Sequence, residues 1–137
     1  MAAQYGPPST NSMIDLLNDV EGATTLAVPS ASTTVYGKSF RLCKNHSYGL
    51  IYRFTGTTIT VKVELEEGNQ PPTTEGAADT SWAVGHILDA AVVASAALAK
   101  GVDPVVAKYG RLKLTPSGSN HADVLLVLAQ LGVSKNL

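Results

Sequence analysis

Two adjacent runs of alternating residues in the middle of the chain limit its possible folds more than any other feature. Every second residue is apolar from Tyr48 to Phe54, and again from Ile59 to Leu65. A period of two is typical of a β-strand with one buried face. Because only a short turn at Gly56 separates the runs, we predict an antiparallel hairpin over 48–66. One face should lie in the core and the other should meet solvent or a partner.

A third strand with two different faces is predicted at 109–115. Leu112 and Leu114 lie on one face of this strand, which we expect to be buried. Arg111 and Lys113 lie on the other face, and we expect that face to be wet or in contact with a partner.

A polar, turn-rich loop at 116–123 leads to a very apolar last strand at 124–131. Residues 124–128 have no polar face, so this strand needs cover on both sides. Its own core covers one side, and a second layer of the fold or another subunit must cover the other. We read 109–131 as the closing strand pair of a β-sandwich.

The N-terminal part of the chain has a different character from the rest. Residues 1–11 contain two adjacent prolines and predict an extended arm. Residues 12–20 place apolar side chains at helical spacing, with Ser12 as the N-cap and Gly22 as the stop, and predict a short helix. We therefore divide the chain into an arm with a short helix at 1–22 and a β-sandwich domain at 23–137, which begins with a strand near Thr24–Val28.

Two further segments carry mixed or irregular signals. Residues 68–79 contain Pro71 and Pro72, which cannot donate to a sheet ladder, and predict a long loop of the kind that often contacts a neighbour. Residues 87–100 have helix signals in Asp89 and an alanine-rich run. The surrounding strands favour extended structure there with a turn near Ser95.

The charge balance argues against several partner classes. Lys and Arg total 10 and Asp and Glu total 11, so the formal net charge is −1 and offers no attraction for nucleic acid or an anionic membrane. Only 15% of residues are charged, which suggests that partners cover part of the surface. The chain lacks a secretory signal, a long apolar span and a second cysteine, so we expect it to be made in a cytoplasm.

No residue pattern predicts catalysis, a cofactor or a metal site. The three histidines are far apart, His121 and Asp123 read as a polar loop pair, and Cys43 reads as a small buried hydrophobe. Glu64 and Glu66 could form a carboxylate pair, but a solvated strand face is the better interpretation. We therefore expect that the protein is not an enzyme.

Four short motifs, taken in order, resemble those of a known class of virion proteins. They are Val61-Lys-Val-Glu-Leu65, Asp79-Thr-Ser-Trp82, Tyr109-Gly-Arg-Leu-Lys-Leu114 and Gly118-Ser-Asn-His-Ala-Asp123. This layout resembles the jelly-roll cement, or decoration, proteins of tailed bacteriophages. The segment Gly68–Gly76 departs from the Ser/Asp/Gly segment of such chains. The resemblance implies an all-β antiparallel sandwich, a jelly roll of about eight strands with at most one or two short helices. It also favours extended structure at 87–100, with a short helix as the alternative.

The same resemblance implies a structural role. We expect a capsid cement protein that bridges major capsid subunits on the outer surface of the virion and is made in the host cytoplasm. The expected partners are the major capsid protein and other copies of this chain, as a dimer or trimer. The expected contact regions are 1–11, 68–79 and 116–123. The alternative is a phage tail or spike component that binds a host glycan through exposed Trp82 and Tyr52.

Overall fold

The described part of the chain consists of β-strands joined by turns and loops. The computed structural model describes residues 13–15, 26–28, 33–42, 46–56, 60–92, 96–102, 107–117 and 124–135. These residues contain no helix, which confirms the all-β prediction. The strands within them are β1 (Met13–Asp15), β2 (Leu26–Ala27), β3 (Val35–Tyr36), β4 (Phe40–Arg41), β5 (His46–Thr55), β6 (Val61–Gly68), β7 (Ala83–Val92), β8 (Leu98–Val102), β9 (Tyr109–Pro116) and β10 (Leu125–Lys135).

The strands form two antiparallel sheets that make a β-sandwich, as the sequence predicts. The first sheet has the order β1-β10-β5-β8, with β2 also paired to β10. The second sheet has the order β3-β9-β6-β7, with β4 also paired to β9. The pairs β2–β10, β3–β9, β5–β8 and β6–β7 are nested, because each joins an early strand to a progressively nearer late strand. The chain therefore crosses repeatedly from one sheet to the other.

The predicted hairpin over 48–66 is wrong, although its alternation is right. Strand β5 pairs with β10 and β8, whereas β6 pairs with β7 and β9 in the other sheet. Alternation determines which face of a strand is buried, but it does not determine the neighbouring strand. Gly56, directly after β5, has a φ of 144°, a conformation that residues with a Cβ rarely adopt. For the same reason β9 and β10 are not a pair, since they also lie in different sheets.

The core lies between the two sheets and contains the apolar faces that alternation predicts. Tyr52 and Phe54 are fully buried, with ring centroids 6.2 Å apart and ring planes at 74°. Burial of each large apolar side chain stabilises the fold by about 1.5–3 kcal/mol. The buried cluster also includes Leu50 from β5, Val61, Val63 and Leu65 from β6, Leu112 and Leu114 from β9, and Leu126 and Ala129 from β10.

Two segments with helical signals in the sequence are strands in the structure. Met13–Asp15 forms β1, which pairs with Gly132–Gln130, so the predicted helix at 12–20 is wrong for these three residues. Hydrogen bonding to β10 outweighs the weak helical preference of so short a segment. Residues 83–92 and 98–102 are extended, which confirms the strand interpretation for the described part of the alanine-rich region. The turn predicted near Ser95 lies outside the described residues.

Other predicted segments lie partly or wholly outside the described residues. The strand expected near Thr24–Val28 is present as β2, but its first two residues are not described. The arm at 1–11, the remainder of 12–20 and residues 118–123 of the polar loop also lie outside the described ranges.

Neighbouring residues of β5 provide a test of the sandwich. Leu50 is 1% exposed and Ile51 is 37% exposed. We expect Leu50→Ala to lower the free energy of unfolding by about 2–5 kcal/mol through the lost burial and the cavity. Ile51→Ala should cost less than about 1 kcal/mol. Urea denaturation measures both, and equal losses would contradict the assignment of inner and outer faces.

Candidate functional site

The outer face of the second sheet is the part of the molecule that differs most from the sequence prediction. Glu66 lies opposite Arg111 in the β6–β9 ladder, and both point away from the core. We predicted a solvated face, and that prediction is wrong. Glu64 is 5% exposed, Glu66 is 3% exposed and Arg111 is fully buried. Arg111 is covered by the β6–β7 loop at 69–82, through Ala77 and Trp82, and by the Tyr36 ring of β3.

Arg111 is the centre of this covered face. Its Nη2 lies 3.0 Å from Glu66 Oε1, and its Nη1 donates to the Ala77 carbonyl oxygen at 2.8 Å. Its guanidinium carbon lies 4.2 Å from the Tyr36 ring centroid and 4.9 Å from that of Trp82. A cation over an aromatic ring is stabilised by about 0.5–2 kcal/mol. We call these four side chains and the Ala77 carbonyl the Arg111 cluster.

The Trp82 ring can lie beside Arg111 because the residue beneath the ring is a glycine, Gly68. A Cβ built on Gly68 would lie 2.5 Å from the indole ring, so only glycine permits this close approach. Trp82 is 7% exposed, and Tyr52 is buried in the core between the sheets. Burial, with a smaller contribution from the Asp89 charge, raises the pKa of Tyr52 well above its usual value. These two residues are not brought together and do not form the exposed platform that the glycan alternative requires.

Asp79 organises the loop from within. Its Oδ2 accepts a hydrogen bond from the Thr73 amide at 2.9 Å, and its Oδ1 accepts from the Ser81 amide at 2.9 Å and hydroxyl at 2.6 Å. Hydrogen bonds from the Ser81 hydroxyl, and then from the Thr73 and Ser81 amides, hold the pKa of Asp79 well below its usual value. The Asp79 carboxylate therefore stabilises the folded loop at pH values above the usual pKa of an aspartate. This stabilisation is lost as the pH falls through the lowered pKa of Asp79.

A second attachment joins the loop to the segment between β3 and β4. The Ser39 amide donates to Glu75 Oε2 at 3.0 Å, and the Ser39 hydroxyl donates to Glu75 Oε1. The predicted contact region at 68–79 is thus held at two separate places, Glu75 and Ala77. Its exposed residues are small or uncharged apart from Glu75 itself, and they are Asn69, Gln70, Pro71, Thr73, Thr74, Gly76 and Ala78.

A cleft of about 470 Å³ opens beside this second attachment, and we call it the Ser39 cleft. It lies between the β3–β4 segment, the β6–β7 loop and the start of β9. Two of its residues are cationic and two are aromatic. The lining consists of Lys38, Ser39, Phe40, Arg41, Pro71, Glu75 and Tyr109.

Strand β7 has an exposed apolar flank next to the Arg111 cluster. Val84 is 40% exposed and lies opposite Glu66, while Ile87 is 61% exposed and lies opposite Glu64. Within the described residues β7 pairs only with β6, so it is an edge strand. Its register with β6 shifts at three points. Such bulges make an edge a poor template for a further strand, so this flank presents side chains and not a regular backbone ladder.

Several other polar side chains in the described part of the chain form pairs. His86 Nδ1 lies 3.2 Å from Glu67 Oε2, and Lys62 Nζ lies 3.3 Å from Glu64 Oε2. Among the described residues no three or more His, Cys, Asp and Glu side chains are grouped as a metal site requires. No helix in the described ranges is long and apolar enough to span a bilayer. Cys43, His121 and Asp123 lie outside those ranges.

Because the comparisons with known proteins identify no relative, inference about function rests on the geometry of the described residues. No protein-family model matches the chain, and no curated protein is significantly similar to it. The features that bear on function are the Arg111 cluster, the Ser39 cleft and the β7 flank.

The contact between Gly68 and Trp82 can be tested by fluorescence, because Trp82 is the only tryptophan. We expect Gly68→Ala to displace the ring and shift its emission to longer wavelength. Gly49→Ala is the matched control, since a Cβ at Gly49 meets nothing within 4 Å. A Gly68→Ala spectrum identical to the wild type would show that the ring does not lie over Gly68.

The ion pair can be tested by removing one partner and then both. We expect Arg111→Met to destabilise the fold by about 3–5 kcal/mol, because it leaves the Glu66 carboxylate buried without its cation. The double variant Arg111→Met/Glu66→Leu should regain most of that loss. Denaturant unfolding measures the cycle. A double variant no more stable than Arg111→Met alone would contradict the inferred pairing.

Proposed function

We propose that this chain is a virion structural protein, a capsid cement protein that bridges and stabilises major capsid subunits on the outer surface of a phage shell. The observation that carries the proposal is the β6–β7 loop. Hydrogen bonds and a buried arginine hold this loop in place, and its exposed side chains are nearly all uncharged. A loop already fixed in one conformation loses little entropy when a partner binds.

The strand order supports a jelly-roll assignment. In a jelly roll, a long two-stranded ribbon is rolled into two sheets, which produces nested antiparallel pairs of early and late strands. The pairs β2–β10, β3–β9, β5–β8 and β6–β7 have this arrangement. Viral capsid domains use this architecture, as do lectins and cupins. The fold is therefore compatible with the proposal.

The character of the loop surface favours a protein as the partner. Charged groups are depleted at the centres of protein interfaces, and this loop exposes amide, hydroxyl and methyl groups. Its two carboxylates, Glu75 and Asp79, already accept hydrogen bonds from Ser39, Thr73 and Ser81. The loop can thus approach another surface without stripping water from an unpaired charge.

The β7 flank offers a second contact, suited to another copy of the chain. Val84 and Ile87 project from one strand, and burying them would remove apolar surface from water. Symmetric shells place identical subunits around rotation axes, where one apolar patch can meet itself or a neighbouring copy. The proposed dimer or trimer would use this flank and leave the loop to face the shell. The regions 1–11 and 116–123 remain predicted contacts.

The test is binding to shells of the cognate phage that were prepared without this protein. The mass of the purified protein in solution is measured first, and co-sedimentation with the shells follows. We expect a dimer or trimer that binds the shells and raises their resistance to heat. A strict monomer that does not bind them would refute the cement role.

Two matched substitutions of an exposed alanine by arginine test the contribution of the loop. Ala78 lies in the β6–β7 loop and Ala99 lies on β8, and both are exposed. We expect Ala78→Arg to weaken shell binding at least about tenfold, because it places a bulky charge in the interface. Ala99→Arg should bind like the wild type. Equal affinities for the two variants would show that the loop does not face the shell.

A further inference from the structure

The Ser39 cleft already holds one carboxylate group. Ser39 lies between β3 and β4, and its amide and hydroxyl donate to the two oxygens of Glu75. Ser39 is 8% exposed, whereas Glu75 is exposed and belongs to a loop. The two donors therefore form a receptor of the right size for one carboxylate, and a residue from the surface supplies the group that fills it.

The walls of the cleft extend this preference beyond a single group. Lys38 and Arg41 line it as cations and Glu75 lines it as a carboxylate, so the described lining residues carry a net charge of +1. The half-buried Tyr109 adds aromatic surface, whereas the Phe40 side chain is buried in the core behind the cleft. The volume of about 470 Å³ is within the range of ligand-binding clefts, and the site is open to solvent along one side.

We propose that the Ser39 cleft binds an extended, carboxylate-rich segment of a partner protein. One carboxylate of that segment replaces Glu75 on the Ser39 amide and hydroxyl. A second carboxylate pairs with the exposed Arg41, and the aliphatic part of the segment lies on Tyr109. Glu75 acts as an internal competitor that keeps the donors of Ser39 paired when the partner is absent.

The β6–β7 loop can release Glu75 without leaving the sheet. Its other attachment, from Arg111 to the Ala77 carbonyl, does not involve the cleft. When a partner carboxylate replaces Glu75, the hydrogen bonds from Ser39 to Glu75 are lost and equivalent bonds to the partner are gained. The loop stays in place during this exchange. This inference concerns the cleft alone and does not depend on a role in the capsid.

The charge pattern distinguishes a protein segment from nucleic acid. A nucleic-acid groove needs a series of cations that follows the phosphate backbone, whereas this cleft contains two cations beside a carboxylate and the whole chain has a net charge of −1. A short acidic segment requires only the local pairing that the cleft supplies.

The experiment is a titration of the full-length protein with an octaglutamate peptide at low ionic strength, followed by nuclear magnetic resonance. We expect saturable shifts at the Ser39 and Arg41 amides, and none with octalysine or a Gly-Ser octapeptide. Arg41→Gln should weaken binding about fivefold, the change that one partly exposed charge pair supports. Arg53→Gln, which removes an exposed cation on β5, should leave the affinity unchanged.

The decisive variant is Glu75→Gln, which removes the internal competitor. We expect it to bind octaglutamate more tightly than the wild type by about threefold or more, since an uncharged amide neither repels the peptide nor competes as well for Ser39. Four results would each overturn the proposal. They are no saturable shifts in either protein, Glu75→Gln binding no tighter than the wild type, equal weakening by Arg41→Gln and Arg53→Gln, and equally tight binding of single-stranded DNA at the same amides.

Discussion

The rest of the outer face depends on the burial of one charge, that of Arg111. A guanidinium removed from water is costly unless its charge is balanced and its donors are paired. Here the balancing carboxylate comes from β6, an aromatic ring comes from β3, and a carbonyl and a second ring come from the β6–β7 loop. Nη1 and Nη2 are thereby paired, whereas Nε has no hydrogen-bond partner among the described residues. If the loop moved away, Arg111 would lose the Ala77 carbonyl and the Trp82 ring while remaining next to Glu66. The long β6–β7 loop is therefore a fixed part of the sandwich.

This constraint connects the two functional proposals. The Arg111 cluster fixes the loop through Ala77, which lets its uncharged surface serve as a preformed contact. The separate attachment at Ser39 uses a carboxylate from the same loop, and that carboxylate can be exchanged. One anchor is buried and permanent, whereas the other lies at an open cleft. The loop can therefore keep its position while a partner segment enters beside it.

The sequence allows the inner half of this structure to be predicted, because alternation identifies buried faces. It correctly assigns the inward residues of β5, β6 and β9, such as Leu50, Val63 and Leu114. It does not identify strand neighbours, since strands in two different sheets can turn their apolar faces to the same core. The prediction of a hairpin over 48–66 is wrong for this reason.

The outer face could not be predicted from the same pattern, because its cover comes from a loop with no periodicity. From the sequence, Glu66 is predicted to be solvated, and Arg111 to be wet or in contact with a partner. Two local signals were present: a glycine at the end of a strand, Gly68, and a single tryptophan, Trp82, at the far end of the loop. Their contact explains both residues, but no rule of spacing would have paired them.

The central claim is that the β6–β7 loop is fixed in the free protein. Hydrogen exchange at the amides of Thr73, Ala77, Ser81 and Trp82 tests it most directly, because each donates a hydrogen bond within the loop. The account predicts exchange at these four amides far slower than in an unstructured peptide. Their exchange should also be slower than that of loop amides that donate no hydrogen bond. Exchange at the unstructured rate throughout 69–82 would contradict it.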